Sequence, residues 1–154
     1  MRAMQPEPAS LPIRTIRLQS TDEQTARELF LLLAAIFENE AVPLSTPYLQ
    51  QLVTRPDFWA IAAFSGDRLA GGLTAFTLPR ITTESAEIFL YDIAVHPDLQ
   101  RQGIGRRLVS HLRDAAAAEG IETLWVPADN EDEHALEFYR ALGGNAAPVT
   151  IFTL

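Results

Sequence analysis

The chain contains no cysteine. That excludes a disulfide framework, a thiol nucleophile and any cysteine-ligated metal. Histidine is scarce, with three residues at positions 96, 111 and 134. Scattered histidines do not build a metal site, so no metal is expected. No apolar run approaches the roughly 20 residues that a membrane-spanning helix needs. The N-terminus lacks the basic-then-apolar order of a secretory signal. The expectation is therefore no membrane association and a cytoplasmic location. Positive charge is also short: Lys and Arg total 12 against 20 Asp and Glu, a net charge of −8. Such a balance argues against a nucleic-acid partner and suits a cationic one. There is no internal repeat and no low-complexity tract.

What remains is ordinary globular material. The 154 residues are 47% apolar with a mean hydropathy of +0.03. That length supports one domain with a sizeable core. Residues 1–12 are polar and proline-bearing and read as a flexible tail. Residues 13–154 read as a single domain.

The chain is organised around residues 87–118. Ile88 to Val95 is rich in β-branched and aromatic residues and reads as a buried strand. Pro97 ends it by removing a ladder donor. Gln100-Arg101-Gln102-Gly103-Ile104-Gly105 follows, and then Ile104, Leu108, Leu112 and Ala115 recur at helical spacing. A helix start presents unpaired N–H groups and partial positive charge. Gly103 and Gly105 let those N–H groups close on a ligand without a Cβ in the way. Arg101, Arg106 and Arg107 add cationic charge. The stretch thus reads as a phosphate or pyrophosphate site. A Walker A loop is excluded, because no Gly-Lys-Ser/Thr triplet is present. A dinucleotide fingerprint is excluded, because Leu108 stands where the third glycine belongs.

The remaining elements follow from pattern. Ile13 to Leu18 alternates as a first strand. Thr21-Asp22-Glu23-Gln24 reads as a capping box, with helical period from Leu29 to Phe37. Pro47 to Thr54 reads as a second, short helix. Phe58 to Phe64 and Leu69 to Leu78 form a hairpin across Ser65-Gly66-Asp67, with Gly71-Gly72 marking a bulge. Ile121 to Ala128 reads as a further strand, Glu133 to Leu142 as a helix, and Val149 to Leu154 as a last strand. The order β-α-α-β-β-β-α-β-α-β predicts a mixed α/β sheet.

The loop resembles motif A of the GNAT superfamily of acetyl-CoA-dependent N-acetyltransferases, [Q/R]-x-x-G-x-[G/A], at Gln100, Gly103 and Gly105. Asp92-Ile93-Ala94-Val95-His96-Pro97 is similar to the family's preceding strand. Ala135-Leu136-Glu137-Phe138-Tyr139-Arg140-Ala141-Leu142-Gly143 is similar to its A-x-x-F/L-Y-x-x-L-G segment. The resemblance implies the GNAT fold: an α/β fold with flanking helices and a mixed central sheet whose splayed strand pair binds acetyl-CoA. It implies that Ile93, Ala94 and Val95 pair with the pantetheine arm. It also implies that the amides from Gln102 to Arg106 take the pyrophosphate. Gln100, Arg101, Gly103, Ile104 and Gly105 belong to the same loop, and Ala135 and Phe138 are counted with the cofactor site.

Acyl transfer to an amine needs a base, a proton donor for the thiolate and an N–H for the thioester oxygen. Tyr139 matches the family's tyrosine and is the candidate acid; the plain alternative is a core aromatic with its hydroxyl bonded. Asp92 is the candidate base, because a carboxylate amid Phe89, Leu90, Tyr91, Ile93 and Val95 is costly to bury. The plain alternative is a carboxylate facing solvent or paired with an arginine, and Glu87 is a weaker candidate. Asp129, Asp132 and Glu133, with Glu38 and Glu40 as an outer wall, read as a cradle for a cationic substrate. The acids also suit a helix start, with Asn130 as its cap. His96 and His134 fall near the site, while His111 reads as solvated.

Within the superfamily, Tyr91-Asp92 and Ala128-Asp129 are similar to the aminoglycoside 3-N-acetyltransferases of the gentamicin-modifying type. The resemblance implies acetylation of an aminoglycoside amine, at the 3-amino group, and antibiotic resistance. Two alternatives stand beside it. One is an N-acetyltransferase for another amine, such as a polyamine, a small metabolite or a protein N-terminus. The other is a non-catalytic acetyl-CoA-binding module. A homodimer is left open. Gly144 and Pro127 depart from the family pattern on the substrate side.

Overall fold

A computed structural model of the chain describes residues 10–37, 40 and 42–154. Five strands form one sheet in the order β1-β2-β3-β4-β5. They are β1 (Ile13–Arg17), β2 (Phe58–Ser65), β3 (Arg68–Pro79), β4 (Ala86–Val95) and β5 (Thr123–Trp125). The first four are antiparallel in sequence, and β5 runs parallel to β4. The expected α/β sheet with flanking helices is the observed architecture.

Helices cover both faces. On one side lie α1 (Glu23–Phe37) and α2 (Thr46–Val53), and on the other α3 (Ile104–Ala118). The strand β2 is buried on both sides, and its alternation sorts the two cores. Trp59, Ile61 and Ala63 join Leu108 and Leu112 of α3. Phe58, Ala60 and Ala62 join Ala26, Leu29 and Leu33 of α1 and Leu49 of α2. The α1 residues sit at helical spacing, which gives the helix one apolar stripe. Each fully buried Leu or Ile contributes about 1.5–3 kcal/mol relative to an exposed one. The helix α4 (Glu133–Ala141) sends Phe138 toward the α3-side core.

Several local expectations need correction. The first nine residues of the expected 1–12 tail lie outside the described residues. Pro12 is held, since its carbonyl accepts from Gly66 N at 3.1 Å. The helix α1 starts at Glu23, and the carboxylate that closes the preceding turn is Asp22, which accepts from Gln19 N at 2.8 Å. The bulge expected at Gly71-Gly72 sits directly before them, at Ala70: Ala63 pairs with Gly71 and Phe64 with Leu69. A Cβ on Gly71 would strike the Ala94 carbonyl, and one on Gly72 would strike Leu29. These glycines let β4 and α1 approach β3 closely. His111 is not solvated: its ring meets Thr15 Oγ1 at 2.8 Å.

The largest departures are at the β5 end. The strand expected over 121–128 is formed only at Thr123–Trp125. Pro127 has no N–H to offer a ladder. The strand expected over 149–154 is absent from the sheet, and those residues carry no regular secondary structure and are exposed.

Candidate active site

The site begins with an irregularity in β4. Thr74 pairs with Asp92 and Ala75 with Leu90, so Tyr91 is an extra residue in the strand. Such a bulge bends a strand and re-aims its side chains. The β4–β5 ladder runs only from Glu87–Thr123 to Phe89–Trp125. Beyond it the two strands part, and Ile93 to Val95 have no strand on their outer edge. Backbone groups on that edge are left to pair with something other than sheet.

The gap is a cavity of about 990 Å³. Ile93, Ala94 and Val95 form one wall, and Val126, Pro127, Ala128 and Asp129 form the opposite one. Its floor is the glycine loop: Gln100, Arg101, Gly103, Ile104, Gly105 and Arg106. Pro97–Leu99 makes one 3-10 turn before the loop. Gln100 then reaches back, donating from Nε2 to the Val95 carbonyl at 3.2 Å. Gly103 caps α3 with φ +77°, a left-handed conformation that disfavours any side chain. Arg101 also has a positive φ, 62°. The start of α3 therefore turns its free N–H groups and dipole toward the cavity, with Arg101 and Arg106 beside it.

Two parts of the loop act differently from expectation. A Cβ on Gly105 would lie 3.2 Å from the Phe138 ring, so this glycine gives room for close contact with α4. Arg107 turns away and donates to the Ile13 carbonyl at 3.2 Å. Gln102 is exposed and does not line the cavity.

The fourth wall comes from α4. Ala135, Phe138 and Tyr139 line it, with His134 and Glu137. Asp132, not Asn130, caps the helix: its Oδ1 accepts from Ala135 N at 3.0 Å. Asp129 accepts from Glu131 N at 2.9 Å and tightens the turn before it. Both aspartates also line the cavity. The Tyr139 hydroxyl is pushed up to about 12, chiefly by burial and then by the Asp132 carboxylate. It keeps its proton across the physiological range and can donate it.

Asp92 opens on a different space. A cavity of about 520 Å³ lies between α1, α2 and the sheet. Phe30, Phe37, Tyr48, Phe58, Phe76 and Tyr91 line it, and Asp92 and Thr74 lie at its sheet wall. Asp92 is half-buried and accepts from Thr74 Oγ1 at 2.8 Å. Arg27 also touches this cavity, but its guanidinium is tied to Leu44 O at 2.8 Å, Thr46 Oγ1 at 2.9 Å and Glu23 at 3.2 Å. The two cavities share Phe37 and Tyr91. They meet at the β4 bulge, with Asp92 on one side and Tyr139 on the other.

The structure thus gathers most of the expected residues around one gap. It does not bring every acid there. Glu133 and Glu40 are exposed and line neither cavity. Glu38 lies outside the described residues. His96 lies by Arg68 and Asp98 and lines neither cavity. Glu87 faces Arg80 at 3.9 Å. Thr74 and the aromatic lining of the α1–α2 cavity were not anticipated. Thr74 gains meaning only from its cross-strand partner, 18 residues away. Among the described residues no group of acids and histidines is arranged to hold a metal. Nor is any described helix long and apolar enough to cross a membrane.

Known proteins share this arrangement. The chain is 38% identical over 79 residues to the ribosomal protein bS18-alanine N-acetyltransferase of Escherichia coli K12. That alignment covers 51% of this chain and 52% of the relative, so the chain spans about half the length of the curated relative it matches. Among solved structures, the aminoglycoside acetyltransferase meta-AAC0020, from an uncultured soil metagenomic sample, superimposes with a TM-score of 0.84. It is 30% identical in a complex with trehalose and 28% identical in one with sisomicin, with 92% of this chain and 94% of that one covered. The aminoglycoside acetyltransferase HMB0005, also from soil metagenomic material, gives a TM-score of 0.87 at 27% identity, covering 94% and 98%. The sequence model of the acetyltransferase (GNAT) family matches residues 23–143, a span that includes the bulged strand, the glycine loop and the tyrosine helix. The chain belongs to the acetyltransferase (GNAT) family.

Proposed function

We propose that this protein transfers an acetyl group from acetyl-CoA to a primary amine of an aminoglycoside. The observation that carries the reading is the pair of cavities abutting at Tyr91, one floored by an anion-binding helix start and the other ending at a carboxylate. Family membership supports acetyl-CoA as the acetyl donor. The residues present suit it. The free outer edge of Ile93 to Val95 can pair with amide groups of the pantetheine arm. The N–H groups at Gly103 to Arg106 can take phosphate oxygens.

When bound, acetyl-CoA supplies an activated acetyl thioester. The chain supplies the proton handling. Asp92, oriented by Thr74, accepts a proton from the acceptor amine, directly or through one water. The amine nitrogen then bonds to the acetyl carbon as the carbon–sulfur bond breaks. Tyr139 gives its hydroxyl proton to the departing thiolate, and burial keeps that proton available. A free N–H on the outer edge of β4 steadies the thioester oxygen as charge builds there.

Two observations support an aminoglycoside acceptor. The soil-derived structural neighbours are named for that activity and cover nearly the whole chain. Asp129 and Asp132 line the acetyl-CoA gap, which joins the α1–α2 cavity at Phe37 and Tyr91, and ammonium groups of a large polycation that crosses this junction can meet them. The 3-amino group remains the proposed position of transfer.

A second reading is favoured by the α1–α2 cavity itself. Its lining is mainly aliphatic and aromatic, and among the described residues its charged members are the already bonded Arg27 and the acid Asp92. That lining suits an amine with an apolar body better than a polyhydroxylated polycation. A peptide N-terminus is one such amine, and the E. coli relative is named for acting on an alanine of a ribosomal protein. A single panel separates the two. Acetyl-CoA consumption is measured with gentamicin, sisomicin, spermidine, an alanine-initiated peptide and an arylalkylamine. Turnover concentrated on the aminoglycosides supports the primary reading. Turnover on the peptide or arylalkylamine with none on any aminoglycoside replaces it.

A further inference from the structure

We propose that the cavity between α1, α2 and the sheet is an aromatic cage for N-alkylated ammonium ions, in which a quaternary ammonium ion is held as an unreactive ligand in place of the acceptor. Its rings converge from separate elements. Phe30 and Phe37 come from α1, Tyr48 from α2, Phe58 from β2, Phe76 from β3 and Tyr91 from β4. Neighbouring rings are turned steeply against one another. Phe30 and Phe58 have centroids 6.1 Å apart at 69°, Phe58 and Phe76 5.3 Å at 58°, and Phe76 and Tyr91 6.0 Å at 80°. None of these pairs closes into a parallel stack, so the ring faces look in several directions. The face of an aromatic ring is its negative side. A cation within about 6 Å of a ring centroid is attracted to it, and quaternary ammonium ions are recognised in sites walled by such rings.

The bulge in β4 adds charge to the rings. In a regular strand, consecutive side chains point to opposite faces. Here Tyr91 and Asp92 both line this cavity, because Tyr91 is an extra residue in the strand. A ring and a carboxylate therefore stand side by side. Asp92, half-buried and oriented by Thr74, supplies negative charge for a bound cation. Arg27 is the basic residue among the described lining, and its guanidinium meets Glu23 at 3.2 Å. That pair is neutral as a unit, so among the described residues Asp92 sets the sign of the cavity's charge.

The lining also selects among ammonium ions. A primary ammonium carries three N–H donors. The side-chain acceptors of the described lining are Asp92 and the hydroxyls of Thr74, Tyr48 and Tyr91. Thr74 is engaged with Asp92, and Tyr48 and Tyr91 are 50% and 60% exposed. The less exposed rings of Phe30, Phe58 and Phe76 offer carbon alone. An N–H turned against them loses its water without replacement. Exchanging N–H for N–CH3 removes that cost, and the methyl groups carry the positive charge to the ring faces. A quaternary nitrogen has no lone pair and no proton to release, so it cannot take an acetyl group. Its competition with the acceptor rests on reading this cavity as the acceptor site, whereas its binding does not.

Ligand-observed NMR titration of the full chain, at constant ionic strength, tests the cage. The probes are choline and its neutral carbon isostere, in which a tert-butyl group replaces trimethylammonium. The two share a shape and differ in charge. Choline should bind at least about tenfold more tightly than the isostere. Tyr48→Leu and Phe76→Leu each remove a ring and keep an apolar side chain. Each should weaken choline by about two- to fivefold and leave the isostere unchanged. Asp92→Asn should weaken choline as well. Equal affinity for the two probes overturns the proposal, as does an absence of choline binding or a choline affinity unchanged in both ring variants. Tyr48 is half exposed, so its variant reads the cage where Phe76→Leu fails to fold. With any acceptor that is turned over, choline should raise the acceptor KM and leave kcat unchanged. Choline that binds without competing upholds the cage and overturns the reading of this cavity as the acceptor site. An absence of turnover on every acceptor counts against the proposed function and leaves the two probes to decide the cage.

Discussion

Tyr139 carries the clearest chemical signature of any single residue. Its environment holds the phenol neutral, which suits a proton donor and excludes a base at ordinary pH. Tyr139→Phe should lower kcat by about 10²–10⁴-fold, the usual worth of a general acid, while acetyl-CoA affinity stays near normal. Steady-state turnover set beside calorimetry checks this, and near-normal kcat would return Tyr139 to a packing role. The raised value also has a sign for stability. Between pH 10 and about 12 the unfolded chain has lost this proton and the folded chain keeps it. Stability attributable to the hydroxyl is therefore full below pH 10 and is lost as pH rises through about 12. Denaturation curves should fall more steeply over that interval in the parent than in Tyr139→Phe. Parallel curves would mean that burial does not hold the proton. For Asp92, the partner Thr74 offers a separate test. Asp92→Asn should cut kcat, whereas Thr74→Val should cut it less and shift its pH profile, because Thr74 only orients the carboxylate.

At the scale of elements, the site is made by two interruptions: the bulge at Tyr91 and the end of β5 at Trp125. Pattern alone located the strand, the loop and both helices because their signals are local. Glycine beside arginine before an apolar stripe is read within one window. The position of the split, at Ile93 to Val95, came from the family resemblance and not from pattern, because it depends on where β5 stops pairing with a strand far away in sequence. Thr74 opposite Asp92 was not legible, for the same physical reason. The cap of α4 was misplaced by two residues, since Asn130 and Asp132 are equally good caps by composition. Asp132 serves two ends, as a cap to Ala135 N and as the acid beside Tyr139. Asp132→Ala should cost about 0.5–2 kcal/mol of stability, whereas Asp132→Asn keeps the cap and should cost little. Chemical denaturation of the two variants decides it. Equal losses would show that the charge, not the cap, matters.

For the whole molecule, the acid excess was legible and its address was not. A net charge of −8 suits a cationic acceptor. Yet among the described residues only Asp92, Asp129 and Asp132 of the acids singled out line the cavities, and the α1–α2 cavity is mainly apolar. The apolar lining is assembled from five separate elements, α1, α2, β2, β3 and β4, and the α1–α2 loop, so no run of sequence displays it. Salt distinguishes the two acceptor classes. An aminoglycoside held by exposed carboxylates should show a KM that rises with ionic strength, since such charges are screened beyond about 10 Å at 0.1 M. An amine held by its apolar body should show little change. Initial rates across a salt series read this directly, and a flat series with an aminoglycoside would argue against the carboxylate cradle.

The central claim is that the gap between the parted strands β4 and β5 holds acetyl-CoA, with its phosphates at the start of α3. Gly103 is the residue on which this turns, because its φ of +77° aims the loop and nothing of the protein lies within 4 Å of an added Cβ. Calorimetric titration of acetyl-CoA into the parent chain and into Gly103→Val is the most direct measurement. Binding to one site in the parent, and its loss in a variant with unchanged circular dichroism, is the predicted result. Equal affinity in the two proteins would contradict the assignment.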